Sequence, residues 1–231
     1  MDVGLYIASS GMVAEQAREG QLANDLANAS TPGFKSDYAP QSSFGAVLLA
    51  NSEGGSAVGS VDAGVALGKA VTSVAPGTLQ ETGEPLDFAI EGSGFFAVRT
   101  AQGVRYTRDG QFTRSAQGIL TDSSGNQVLD AKGAPIKVSA TGTVPANAVG
   151  VFEVPGAVKQ GENLYTGTAK GKASGILRQG SLEGSSVQAA NAMIEMITSL
   201  RTFQSGQQAI QSISQTLQQA ATQVGSMNPN G

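Results

Sequence analysis

The segment SSVQAANAMIEMITSLRTFQSGQQAIQSISQTLQQAATQV, Ser185 to Val224, decides the fold. Ala190, Ile194, Ile197, Leu200, Phe203, Ile210, Ile213, Leu217, Ala220 and Val224 recur mainly every three or four residues, and no proline interrupts Val187 to Met227. That period predicts one helix of about 38 residues, roughly 57 Å long, which exceeds the width of a small domain. Such a helix needs a partner along its length. Its polar positions are Gln, Ser and Thr rather than Glu and Lys, so neighbouring subunits are expected to cover part of that face. Ser185 or Ser186 is the expected N-cap.

The partner stands at the other end of the chain. Leu5, Ala8, Met12, Glu15, Glu19, Leu22 and Leu26 follow a 3,4,3,4 spacing that fits one helix face. Gly4, Gly11 and Gly20 each cost about 1 kcal/mol relative to alanine, so this helix should order only when another covers it. Asn28-Ala29-Ser30-Thr31-Pro32-Gly33 stops it, since the residue before a proline leaves the α region. Ser36 to about Val71 reads as a semi-ordered connector, with an apolar patch at Phe44 to Leu49 and room for one strand.

The pattern turns to β after Lys69. Leu86, Phe88 and Ile90 alternate with Asp87, Ala89 and Glu91, and Gly92-Ser93-Gly94 turns the chain into Phe95-Phe96-Ala97-Val98. Asp109-Gly110, flanked by Val104 to Arg108 and Gln111 to Thr113, predicts a two-residue hairpin. Strands are expected at Ile119-Leu120, Val128-Leu129, Ile136 to Val138 and Val149 to Val154, with 156–184 as loop. The reading is an α+β fold, a mainly antiparallel β domain flanked by terminal helices that pair in a coiled-coil-like layer. Its divisions are 1–34, an N-terminal helix; 35–70, a connector; 71–184, the β domain; and 185–231, the C-terminal helix.

Composition excludes much chemistry. The 231 residues contain no histidine and no cysteine, which removes the commonest general base, the thiol nucleophile and the usual ligands of zinc, iron–sulfur and haem sites. A net charge of -4 gives no basic footprint for nucleic acid, and no apolar run reaches the roughly 18 residues of a membrane helix. No cofactor and no direct membrane insertion are expected. Met1-Asp2-Val3-Gly4 lacks the start of a cleaved secretory signal.

The remaining motifs favour bland readings. Gly92-Ser93-Gly94-Phe95-Phe96-Ala97 looks like a dinucleotide fingerprint but leads into strand sequence, not a helix. Asp122-Ser123-Ser124-Gly125-Asn126 resembles a calcium loop, yet Gly133 stands where the bidentate Glu belongs. Asp87 and Glu91 lie on one strand face, where solvated positions are favoured over a carboxylate pair. Arg105, Arg108 and Arg114 are read as exposed hairpin residues rather than an anion site. The rival in a different class is an enzyme or carbohydrate-binding module built on Asp87 and Glu91.

Taken together, Leu22-Ala23-Asn24-Asp25-Leu26-Ala27-Asn28-Ala29-Ser30-Thr31-Pro32-Gly33-Phe34-Lys35, Leu86 to Phe96, Tyr106 to Phe112, Glu162 to Tyr165 and Gln179 to Val187 resemble, in order, the flagellar axial proteins of bacteria, the rod proteins and their hook relatives. The resemblance implies a subunit that associates with itself and with other axial proteins, is exported uncleaved by the flagellar type III apparatus, and resides in the basal body. Gly94-Phe95-Phe96 and Asn163-Leu164-Tyr165 are similar to the distal-rod branch, with the proximal-rod and hook branches as alternatives. Leu5, Met12, Leu22, Leu26, Asn28, Pro32, Gly33, Phe34, Ile194, Ile197, Leu200, Phe203, Ile210, Ile213 and Leu217 are the expected assembly and packing residues; Gly92, Gly94, Asp109 and Gly110 are the expected turn residues.

Overall fold

The computed structural model describes residues 3–43, 64–161 and 163–226. The apolar patch at Phe44 to Leu49 and the residue Glu162 lie outside them, as does the side chain of Val224. The chain is α+β and divides into two compact units: a helical unit from Met1–Leu26, Asp37–Val71 and Ala189–Gly231, and a β unit from Ala27–Ser36 and Thr72–Gln188.

In the helical unit, α1 spans Val3–Ala27 and α2 spans Ala189–Ser226. The glycines of α1 do not break it. Gly4 lies opposite Ile213, Met12 opposite Gly206, and Glu15 opposite Ser199, so the helices run antiparallel. α2 begins at Ala189, later than a Ser185 or Ser186 cap would allow, because Ser186 accepts a hydrogen bond from the Ser36 amide instead. The connector contributes β1 (Asp37–Tyr38), β2 (Gln41–Ser43) and β3 (Val65–Leu67), with β2 and β3 paired antiparallel. Ser10 Oγ accepts the Val65 amide at 3.2 Å, which fixes this ribbon on α1.

β4 (Val71–Thr72) leads toward the β unit, whose strands are β5 (Leu79–Glu81), β6 (Phe88–Glu91), β7 (Phe95–Thr100), β8 (Gly103–Thr107), β9 (Thr113–Arg114), β10 (Leu120–Thr121), β11 (Gln127–Val128), β12 (Val151–Glu153), β13 (Val158–Lys159), β14 (Leu164–Thr166), β15 (Gly171–Lys172), β16 (Ile176–Gln179) and β17 (Ser181–Glu183). β7 is its axis. One edge of β7 pairs with β8 from Phe96↔Thr107 to Thr100↔Gly103; the other pairs with β11 through Val128↔Val98 and with β12 through Val151↔Phe96. Phe96 and Val98 enter one core cluster, while Phe95 and Ala97 enter another with Tyr106 and Tyr165, so alternation along this strand feeds cores on both faces. Far-apart segments close the unit: β6 pairs β16 and β5 pairs β17.

Among the described residues of 156–184, five short strands replace the expected loop; β14, β15, β16 and β17 pair with the earlier strands β8, β12, β6 and β5, and β13 pairs locally with β14. Asp109-Gly110 joins no hairpin either. β8 pairs with β7 and β14, β9 pairs with β10, and neither Asp109 nor Gly110 has positive φ. Gly110 is demanded by crowding instead: a Cβ there would run into the Phe88 carbonyl, whose own amide donates to Gly110 O at 3.0 Å. Gly92 and Gly94, with φ of 101° and 130°, carry the chain from β6 into a different sheet.

Four turns repeat one chemistry that the sequence reading missed as a set. Ser115, Asp122, Asp130 and Ser139 each accept, on a side-chain oxygen, the amide of the residue four further on. Each is followed at the third position by a glycine with φ between 73° and 84°. This is the three-residue hairpin loop with a glycine bulge. Gly110→Ala is expected to cost about 3 kcal/mol by overpacking. Gly125→Ala, strained in φ but facing open space, is expected to cost about 1 kcal/mol. Denaturant titration of the two variants checks the difference.

Candidate functional site: the helix faces and their roots

Along α2, Ala192, Met196, Ser199, Phe203, Gly206, Ile210, Ile213 and Leu217 are buried or part-buried at a 4,3,4,3,4,3,4 spacing, with Ala189 and Ser214 also partly covered. Opposite them Leu5, Ala8, Met12, Glu15, Glu19, Leu22 and Leu26 are likewise wholly or partly covered on α1. Ser199 Oγ donates to Glu15 Oε2 at 2.6 Å, a polar contact inside the seam that fixes register as single buried polar residues do in coiled coils. Arg18 and Glu195 pair at 3.3 Å with both side chains about half exposed, which contributes at most about 1 kcal/mol.

The first half of the expected stripe on α2 faces elsewhere. Met193, Ile194, Ile197 and Leu200 are 49, 63, 54 and 44 % exposed. Phe203, Ile210, Ile213 and Leu217 do face inward, so α2 carries two apolar faces that cross along its length. On α1, Tyr6 and Val13 are also exposed, and with Val65 and Leu67 they line a groove of about 360 Å³. Neither surface contains a charged residue among those named.

The β unit holds the segments that lead into both helices. After α1 the chain runs through Asn28, whose Oδ1 accepts from the Thr31 hydroxyl, and then lies flat as a strap. Asn163 Nδ2 donates to Pro32 O at 3.0 Å, and the Gly33 amide donates to Glu183 O at 2.7 Å. The Ser186 amide donates to Phe34 O at 2.9 Å. Lys159 Nζ sits 3.9 Å from the centre of the Phe34 ring. Gly33 has φ 66°, and a Cβ on it would strike the Arg108 backbone.

A buried charge cluster fixes the strap. Glu183, Lys35 and Arg108 have side chains 1, 0 and 3 % exposed. Glu183 Oε1 accepts from Lys35 Nζ and from the Gly77 amide, each at 2.6 Å, and Oε2 accepts from Arg108 Nη1 at 3.1 Å. Lys35 also donates to Ala75 O, and Arg108 to Ile90 O and Gly92 O. Burial holds the Lys35 ammonium below the usual lysine range, against the opposing pull of the Glu183 carboxylate. The expectation that Arg108 is an exposed hairpin residue is corrected: its guanidinium lies 5.4 Å from the Phe95 ring centre and spans β6, the turn after it and β17. Neither Lys35 nor Glu183 was singled out by motif reasoning, because they are 148 residues apart and each is ordinary alone.

The imagined carboxylate pair dissolves. Asp87 is buried, not solvated, and accepts from the Thr82 hydroxyl at 2.7 Å; Glu91 is exposed and pairs with Arg178. Asp109 is half-buried, and burial, with smaller contributions from Asp122 and Asp87, pushes its carboxyl up to about 6 from 3.8.

A β unit whose two ends feed a helix pair with uncovered apolar faces is the form of a structural subunit. Residues 89–158 match the family described as the flagellar hook protein FlgE/F/G D1 domain, and residues 178–223 match the flagellar basal body rod FlgEFG protein C-terminal family. The flagellar basal-body rod protein FlgF of Caulobacter vibrioides is 31 % identical, the alignment covering 99 % of this chain and 100 % of the relative. The flagellar hook-basal body complex protein FlhO of Bacillus subtilis is 30 % identical over 96 % of this chain and 98 % of its own. The flagellar basal-body rod protein FlgG of the same organism is 30 % identical over 93 % and 96 %. The chain belongs to the flagellar basal-body rod protein family. Proteins of this family are structural rather than catalytic and assemble with other axial components of the flagellum at the basal body.

Asp109 gives a pH test of the β unit. Its folded pKa lies above the ordinary value, so between about pH 4 and pH 6 the folded chain holds a proton that the unfolded chain has released. Stability from this group is present at low pH and is lost as pH rises through about 6. Asp109→Asn keeps an oxygen for the Gln111 amide and removes the buried charge. The variant should match the parent near pH 4 and exceed it in stability at pH 7, as read by denaturation at the two pH values.

Proposed function

We infer that this rod-family protein polymerises through the ends of its chain. The observation that carries the reading is the apolar, uncovered stripe Met193, Ile194, Ile197 and Leu200 on a helix whose seam with α1 is already filled. The groove at Tyr6, Val13, Val65 and Leu67 is a second, unlike surface. Two different surfaces meeting without closure build a helical filament, the symmetry an axial structure needs. Leu5, Met12, Leu22, Leu26, Phe203, Ile210, Ile213 and Leu217 pack the helix pair in this reading; Asn28, Pro32, Gly33 and Phe34 belong to the strap seated on the β unit.

Within the rod we assign the distal segment, on the resemblance of Gly94-Phe95-Phe96 and Asn163-Leu164-Tyr165. Placement in the proximal rod is the second reading, since relatives named FlgF and FlgG match at 31 and 30 % identity. Delivery in this reading is by the flagellar type III export apparatus. Immunogold labelling of purified basal bodies distinguishes the two levels.

Replacing both Ile194 and Ile197 by Glu should leave helix content unchanged. It should weaken incorporation about a hundredfold, roughly what covering the exposed half of two isoleucines contributes. Circular dichroism and quantification of the protein in purified basal bodies check this, and normal incorporation of the double variant contradicts the reading.

A further inference from the structure

We propose that the strap Thr31 to Ser36 and the segment Glu183 to Ser186 form one cooperative clasp, latched by Glu183, so that the residues leading out of α1 and into α2 order in a single event. Both segments belong to the β unit. Their hydrogen bonds interleave: Gly33 to Glu183, Ser186 to Phe34, Ser36 to Ser186, and Lys35 to Glu183. The amide and the hydroxyl of Ser186 both bond to the strap, so Ser186 cannot keep these partners once the strap lifts.

The latch makes partial opening costly. Lys35 and Arg108 bring two positive charges to one carboxylate in a place without water access. Withdrawing Lys35 leaves Oε1 of Glu183 with the Gly77 amide alone, and lifting Glu183 leaves Lys35 and Arg108 facing each other without a counter-charge. Removal of one partner of a buried ion pair is strongly destabilising because the remaining charge is uncompensated. An intermediate with one segment seated and the other free is therefore disfavoured from both directions, and by linkage ordering either segment favours ordering of the other by the same factor. The consequence for a polymer subunit is that the two helix roots become fixed together, so the ends of the chain are offered to a neighbour as a pair.

Native-state amide hydrogen exchange on the full chain tests the clasp. In the parent protein, the amides of Gly33, Gly77 and Ser186 should share one opening free energy and one denaturant dependence, both lower than those of Leu129 and Ile136 in the β core. In Lys35→Met, protection at Gly33 and at Ser186 should fall together by roughly a hundredfold while Leu129 stays within a factor of two. Ser186→Ala, made at the opposite side, should lower protection at Gly33 as well. Loss at Gly33 with Ser186 unchanged overturns the proposal. Should Lys35→Met fail to fold, separate opening energies for Gly33 and Ser186 in the parent protein overturn it equally.

Discussion

The structure depends on one carboxylate. Glu183 closes the last strand of the β unit, meets Lys35 and Arg108 at hydrogen-bonding distance, and takes the Gly77 amide as well. Three stretches far apart in sequence converge on it because both oxygens of a buried carboxylate need hydrogen-bond donors. Arg108 in turn accounts for the path of the chain after β8. Its guanidinium must reach Ile90 O and Gly92 O, which keeps Asp109-Gly110 from folding back as a hairpin and seats Gly110 against Phe88.

The helical unit follows a different rule. Its helices are held by a narrow seam of small and apolar residues, with Gly206 admitting Met12 and Ser199 bonded to Glu15. Charge is nearly absent from α2, where Glu195 and Arg201 are the sole charged residues. A helix so poorly solvated on its outer face gains by being covered, and the exposed isoleucines show which strip is available. Proteins of the family assemble with other axial components of the flagellum, and the polymerisation proposed above assigns that strip to such a contact.

Much of this was legible from the residues, and what was not has local causes. The long α2 and the alternation Leu86, Phe88, Ile90 are visible because burial imposes a period over many residues. The direction in which α2 faces its partner was not. Ala190, Ile194, Ile197 and Leu200 form as good a stripe as Ala192, Met196, Ser199 and Phe203, and only the register of α1 chooses between them. Strands such as Gly171–Lys172 and Ile176–Gln179 were read as loop because pairing with distant strands, not local propensity, makes them extended. The four Ser/Asp-x-x-Gly turns at Ser115, Asp122, Asp130 and Ser139 do carry a local signal. The clasp does not, since Lys35 and Glu183 acquire meaning only from each other.

The clasp requires that pair to act as a unit. A double-mutant cycle with Lys35→Met and Glu183→Gln in the full chain, followed by urea denaturation, measures it directly. A coupling energy of about 1–3 kcal/mol is expected, within the range for residues in one hydrogen-bond or salt-bridge network. Stability losses that add to within about 0.5 kcal/mol would contradict it, because independent residues 148 positions apart could not latch the two helix roots together.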